Sequence, residues 1–123
     1  MNIKLLFFSV SINRPKSHVD ICIIIMTIMK ADLHNHSYYS DGVLSPSEVV
    51  KLASEAKCDL FSLTDHDTTD GIAEAQKEAD KLNLDLVNGV EISAFWRNMA
   101  IHILGLGIDV NNDILQTGLD HNQ

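Results

Sequence analysis

Residues 44–57, LSPSEVVKLASEAK, are built to begin a helix. Ser45 stands where an N-cap must, Pro46 follows at the first helical position, and Glu48 lies three residues after the serine. The serine hydroxyl can then accept from the third helical N–H while the glutamate reaches back to the cap, and proline gives up no hydrogen bond there. Val49, Val50, Leu52, Ala53 and Ala56 form one apolar stripe, which has to be covered by a sheet. The run KADLH before this helix and DLFSLT after it read as strands, the first short and buried. DGIAEAQKEADKLN is a second helix, with Ile72, Ala75, Ala79 and Leu82 facing inward. Two more strand-like runs, LDLVNGVEIS and MAIHILGLGI, are joined through AFWRN, and NNDILQTGLDHNQ opens a third helix. Strand and helix alternating in this order confine the chain to an α/β architecture, a parallel sheet or a barrel.

With 123 residues, 46% of them hydrophobic, one modest domain is expected. The net charge of −8 repels duplex nucleic acid and anionic membranes at long range. An anionic substrate therefore needs local positive charge, such as metal ions. Cys22 and Cys58 form neither a disulfide framework nor a CxxC site, which points to a reducing, cytoplasmic setting. Residues 1–29 differ in character from the rest, with two apolar bursts around a proline-containing break. The longer burst, 21–29, is too short for a span of about 20 residues, and no small-x-small cleavage site follows LLFFSV. Met26 and Met29 immediately precede the patterned region. The expectation is that translation starts at one of them, residues 1–29 being an N-terminal extension and 30–123 the domain.

In such architectures functional groups gather where strands end, because the following loops share one rim. His34 and His36, two apart in an extended segment, present both imidazoles to one side. With Asp41 they leave the first strand; Asp65, His66 and Asp67 leave the second; Glu91 closes the third, and His102 lies in the fourth. Each segment alone has a plainer reading. The His pair suits turn capping, TDHDTTDG suits a polar loop, and His102 suits a hydrogen-bonded core histidine. Glu91, between Val90 and Ile92, is costly to bury without a cationic partner. His18 and His121 fall outside the pattern and are expected in solvent. Four segments converging on one rim outweigh the separate readings. Imidazoles mixed with carboxylates suit Zn²⁺, Mn²⁺ or Fe²⁺ rather than Mg²⁺ or Ca²⁺. Such ions clamp a phosphate and acidify a water, and no cysteine, serine or lysine is placed as a rival nucleophile. Metal-activated hydroxide is thus the expected attacking group, with Glu91 able to bridge two ions and Asp65 or Asp67 able to orient His66.

The segments DLHNHSYYSDG, SLTDHDT, GVEIS and IHILGLGID resemble, in order, the motifs of the PHP (polymerase and histidinol phosphatase) family. The likeness is greatest to its TrpH/YciV-like branch of metal-dependent phosphoesterases, and it runs from about Lys30 to the end. The resemblance implies the N-terminal part of a distorted (β/α)7 barrel around two or three divalent ions, commonly Mn²⁺, Zn²⁺ or Fe²⁺. It implies His34 and His36 on the first metal, Asp41 and His66 on the second, Glu91 bridging the first to the third, and His102 on the third. Asp65 and Asp67 are then catalytic support around the ligands. The implied substrates are nucleoside 3′,5′-bisphosphates or the 5′ ends of short oligonucleotides, with no stable duplex binding and no membrane partner. Asp41 stands where the histidinol phosphatase branch uses histidine, which disfavours histidinol phosphate. The family's later strands add another histidine and an Asp-x-His motif, neither of which follows His102; the Asp-His pair of GLDHNQ is adjacent and too early. A fragment or truncated product is therefore expected, with a non-catalytic PHP module as the alternative.

Overall fold

The computed structural model describes residues 29–122 and, in backbone only, the strands β1 (Phe7–Val10) and β2 (Ile21–Ile24). β1 and β2 pair antiparallel with each other. Met26 and His18 lie outside the described residues.

The centre of the fold is a parallel sheet in the order β3 (Ala31–Asp32), β4 (Leu60–Phe61), β5 (Asp85–Leu86). Ala31 pairs with Leu60 and Leu60 with Asp85. Two helices return the chain between these strands, α1 (Pro46–Glu55) and α2 (Ile72–Leu82). α1 starts at the expected capping box: Glu48 N–H donates to Ser45 Oγ at 3.3 Å, and Ser45 N–H donates to Glu48 Oε2 at 2.9 Å. α2 ends at Asn83, whose φ of 53° is the left-handed turn that asparagine tolerates. Val50 and Ala53 of α1, Ala75 and Ala79 of α2, and Phe61, Leu63 and Leu84 make the core.

Several expectations are corrected here. KADLH is exposed at Ala31 and Asp32, because β3 is the edge of its sheet. On α1, Leu52 is 53% exposed and Ala56 is also exposed. At about 100° per residue Leu52 lies some 160° round from Val50, outside the face that meets the core. Leu82 is exposed in the last turn of α2; Leu84, beyond the Asn83 turn, fills the core position instead.

The larger correction concerns the last two strands. β6 (Gly89–Trp96) and β7 (Met99–Leu106) form an antiparallel hairpin, with Ser93 opposite His102 and Trp96 opposite Met99. AFWRN is therefore mostly strand. The turn is only Arg97 and Asn98, whose φ values of 46° and 64° supply the two left-handed residues a tight hairpin needs. The Phe95 and Trp96 side chains at its tip stand in solvent, and Arg97 lies over the Trp96 ring. α3 (Asp113–Asp120) follows with Asn112 as N-cap, and its Leu119 is buried. Among the described residues no helix is long and apolar enough to cross a membrane.

Gly89 sets where the hairpin meets the sheet. It is buried, and a Cβ there would fall 2.3 Å from Ser62 Oγ and 2.6 Å from Thr64 Cγ2. Only a residue without a side chain lets the backbones approach so closely. Two residues on, Glu91 N–H donates to Asp65 O at 3.1 Å and Asp67 N–H donates to Glu91 O at 2.9 Å, the pattern of a parallel bridge centred on His66.

Two outcomes follow for the isolated chain. Phe61→Ala, which empties a fully buried site, should cost about 3–5 kcal/mol in denaturant unfolding. Ser45→Ala should cost about 1 kcal/mol near neutral pH. The Ser45 hydroxyl and then its N–H hold the Glu48 carboxyl below its ordinary pKa. That stabilisation is complete above the unfolded carboxylate pKa and lost as pH falls through the folded one. The gap between wild type and Ser45→Ala should therefore narrow in acid, as read by thermal melts across pH 3 to 7.

Candidate metal centre

After β3 the chain stays extended, so His34 and His36 emerge on one side with ring centroids 5.1 Å apart. The following residues turn sharply back. Ser40 N–H and Gly42 N–H both donate to Ser37 O, at 3.1 and 2.9 Å. A Cβ at Gly42 would sit 2.5 Å from His36 O, so this turn also depends on glycine. It delivers Asp41 to the pair: Oδ1 lies 3.1 Å from His36 Nδ1, and Oδ2 lies 3.7 Å from His66 Nε2. His66 follows β4, and its ring sits 4.8 Å from that of His36 and 4.7 Å from that of His102.

Glu91 is the hub. It is only 6% exposed, yet four imidazoles reach it. His34 Nε2 and His36 Nε2 lie 2.7 and 3.1 Å from Oε2, His66 Nε2 lies 3.7 Å from the same oxygen, and His102 Nδ1 lies 3.0 Å from Oε1. Burial alone would raise the pKa of this carboxyl. The His34 hydrogen bond and the fields of His66, His34 and His36 outweigh it and hold the pKa below the ordinary glutamate value.

All six residues expected as donors come together. They form three groups, His34/His36/Glu91, His36/Asp41/His66 and His66/Glu91/His102, with donor atoms within 4.8 Å of one another in each. Two donors on one ion, each at about 2.1 Å, stand roughly 3–4 Å apart. The spacing here fits a divalent ion with small side-chain adjustments, and the mixed nitrogen and oxygen donors fit Zn²⁺, Mn²⁺ or Fe²⁺.

Of the two acids beside His66, Asp65 is held differently from the expectation. Asp65 is buried, and both of its oxygens accept from the loop: Oδ1 from Ser37 N–H at 2.7 Å and Ser40 Oγ at 2.6 Å, Oδ2 from Ser37 Oγ at 2.7 Å. No hydrogen bond or ion pair joins it to His66 among the described residues, so it does not orient that ring. Asp67, with φ of 52°, accepts from Ser93 N–H at 2.8 Å and Asn122 Nδ2 at 2.9 Å. Burial raises its pKa, but these bonds and the nearby His66 bring it below the usual value. Ser37, Ser40 and Asn122 were not readable from the sequence, since small polar residues in loops carry no periodic signal. His121 is exposed, as expected, with Nδ1 2.9 Å from Thr117 O.

The chain is similar to proteins of known name. It is 47% identical over 88 residues to the 3′,5′-nucleoside bisphosphate phosphatase of Chromobacterium violaceum, covering 72% of this chain and 31% of that protein. It is 45% identical over 86 residues to the 5′-3′ exoribonuclease Rnm of Escherichia coli, covering 68% and 29%. A solved structure from Bifidobacterium adolescentis, described as a metal-dependent phosphoesterase, superposes with a TM-score of 0.72 at 28% identity, over 77% of this chain and 33% of that one. The chain thus spans about a third of the length of these relatives. The family model for the PHP domain matches residues 32–115, a stretch that encloses all six candidate donors from His34 to His102, and the chain belongs to that family.

Proposed function

We propose that residues 30–123 are the metal-holding part of a cytoplasmic phosphoesterase that hydrolyses phosphate esters of small nucleotides or of oligonucleotide 5′ ends, residues 1–29 being an extension. The observation that supports this most is Glu91, a buried carboxylate approached by four imidazoles from three other segments. Such a group is costly unless its surroundings are meant to hold charge. In this reading His34, His36 and Glu91 hold one ion, Asp41 and His66 a second, and Glu91 with His102 a third where three are bound. Mn²⁺, Zn²⁺ and Fe²⁺ all suit the donors. Bound divalent ions supply the positive charge that a phosphate ester needs and the acidity that activates a water.

The chain's own residues do the rest. Glu91 keeps the four rings at one point and offsets positive charge in a buried position. The backbone bridge between His66 and Glu91 fixes the two donors relative to each other. The overall charge of −8 works against long polyanions, which favours mononucleotides and chain ends. The names of the relatives, a nucleoside bisphosphate phosphatase and an exoribonuclease, support both substrate classes. A second reading, a metal-holding module without turnover, draws on the openness of the cluster, where the Asp41 side chain is 69% exposed and the His34 side chain 54%.

The test is release of phosphate from adenosine 3′,5′-bisphosphate, and of mononucleotides from a short 5′-phosphorylated RNA, with and without added Mn²⁺. Turnover that needs Mn²⁺ and falls at least about 100-fold in His34→Ala and Glu91→Gln is the expected result. Undiminished turnover in His34→Ala would rule out this site. Mn²⁺ binding that depends on His34 and Glu91, without hydrolysis of either substrate, would establish the second reading.

A further inference from the structure

The geometry points to Asp65 as a positioning residue that sets the 37–42 loop, and through it Asp41, for the second metal. This rests on the metal reading of the cluster given above. Asp65 is 2% exposed, and its three hydrogen bonds, at 2.6 to 2.7 Å, all come from Ser37 and Ser40. A carboxylate accepting from one N–H and two hydroxyls is fully engaged on the loop side. Its reach is therefore toward residues 37–40 and not toward its sequence neighbour His66.

The chain of contact continues from the loop to the donors. Ser40 Oγ lies 3.4 Å from His36 Nδ1 and 3.5 Å from Asp41 Oδ1. A hydroxyl has one proton, and the 2.6 Å contact with Asp65 takes it. The Ser40 lone pairs are then turned to the His36 ring, and Asp41 is spared a donor that would compete for its oxygens. Ser37 does the complementary work: with its N–H and Oγ on Asp65, its carbonyl is free to accept from Ser40 N–H and Gly42 N–H, which closes the turn that carries Asp41. Its Oγ also accepts from Tyr39 N–H at 3.2 Å. Asp41 itself has a largely exposed side chain and is the last residue of the turn 38–41, so without this anchor little would hold it near His36 and His66.

Removing the anchor should free the loop and weaken only the metal group that uses Asp41. Outer contacts of this kind typically change metal affinity about 10- to 100-fold. Three variants of the full 123-residue chain, Asp65→Asn, Ser40→Ala and Ser40→Thr, test this by two measurements. The first is amide hydrogen exchange without metal. Asp65→Asn should raise exchange at Ser37, Ser40 and Gly42 at least about tenfold while the α1 amides keep wild-type rates, which also shows that the variant is folded. The second is Mn²⁺ titration. Asp65→Asn and Ser40→Ala should weaken one class of bound Mn²⁺ about tenfold or more, leave another class at wild-type affinity, and Ser40→Thr should restore the first. Unchanged exchange in Asp65→Asn overturns the inference, as does faster exchange with every Mn²⁺ affinity unaltered, which would make Asp65 purely structural. A wild-type chain that takes up no Mn²⁺ fails the metal reading instead. In that case the exchange rates alone decide whether Asp65 sets the loop.

Discussion

A buried carboxylate cannot stay charged in an apolar setting unless something answers its charge, and in this protein the answer to Glu91 shapes everything around it. Its backbone is tied on both sides to residues 65–67, the start of its strand at Gly89 is pressed against Ser62 and Thr64 just after β4, and its oxygens gather imidazoles from three other segments. The apolar core, between the sheet and the helices α1 and α2, takes in Phe61 and Leu63 just before His66 but none of the imidazoles. The core fixes the platform, while the electrostatic demand of Glu91 fixes the rim.

That division explains how much could be read in advance. Features set by short-range chemistry were visible: the Ser45–Glu48 capping box, the inward Ala75 and Ala79, the paired His34 and His36. Their causes lie within a few residues of one another. The six candidate donors were visible for a different reason, since imidazoles and carboxylates stand out beside apolar stretches. The hairpin was misread because its turn uses Arg97 and Asn98, and an arginine at positive φ gives no warning in the sequence. The role of Asp65 was misread because its partners, Ser37 and Ser40, are 28 and 25 residues away and look like ordinary loop residues.

The two kinds of strand pairing in the molecule also do different work. In the parallel sheet, each strand reaches its neighbour only through a helix, so the rim is assembled from loops that are distant in sequence. In the hairpin, β6 and β7 bring Glu91 and His102 onto one ribbon, which is docked through the bridge at His66, the Gly89 contact and the Ser93 N–H bond to Asp67. One donor set is thus built by topology and the other by local geometry.

That contrast bears on the order in which the molecule can form. A two-residue hairpin closes on the microsecond scale, whereas contacts between distant segments must wait for large loops to close. Glu91 and His102 can therefore meet early, but His34 and Glu91 are 57 residues apart in the chain and meet only when the sheet, both crossover helices and the Gly89 contact are in place. The donor cluster is in this sense a late product of folding, and a chain that has collapsed with the hairpin undocked would retain most of its secondary structure while lacking the site altogether.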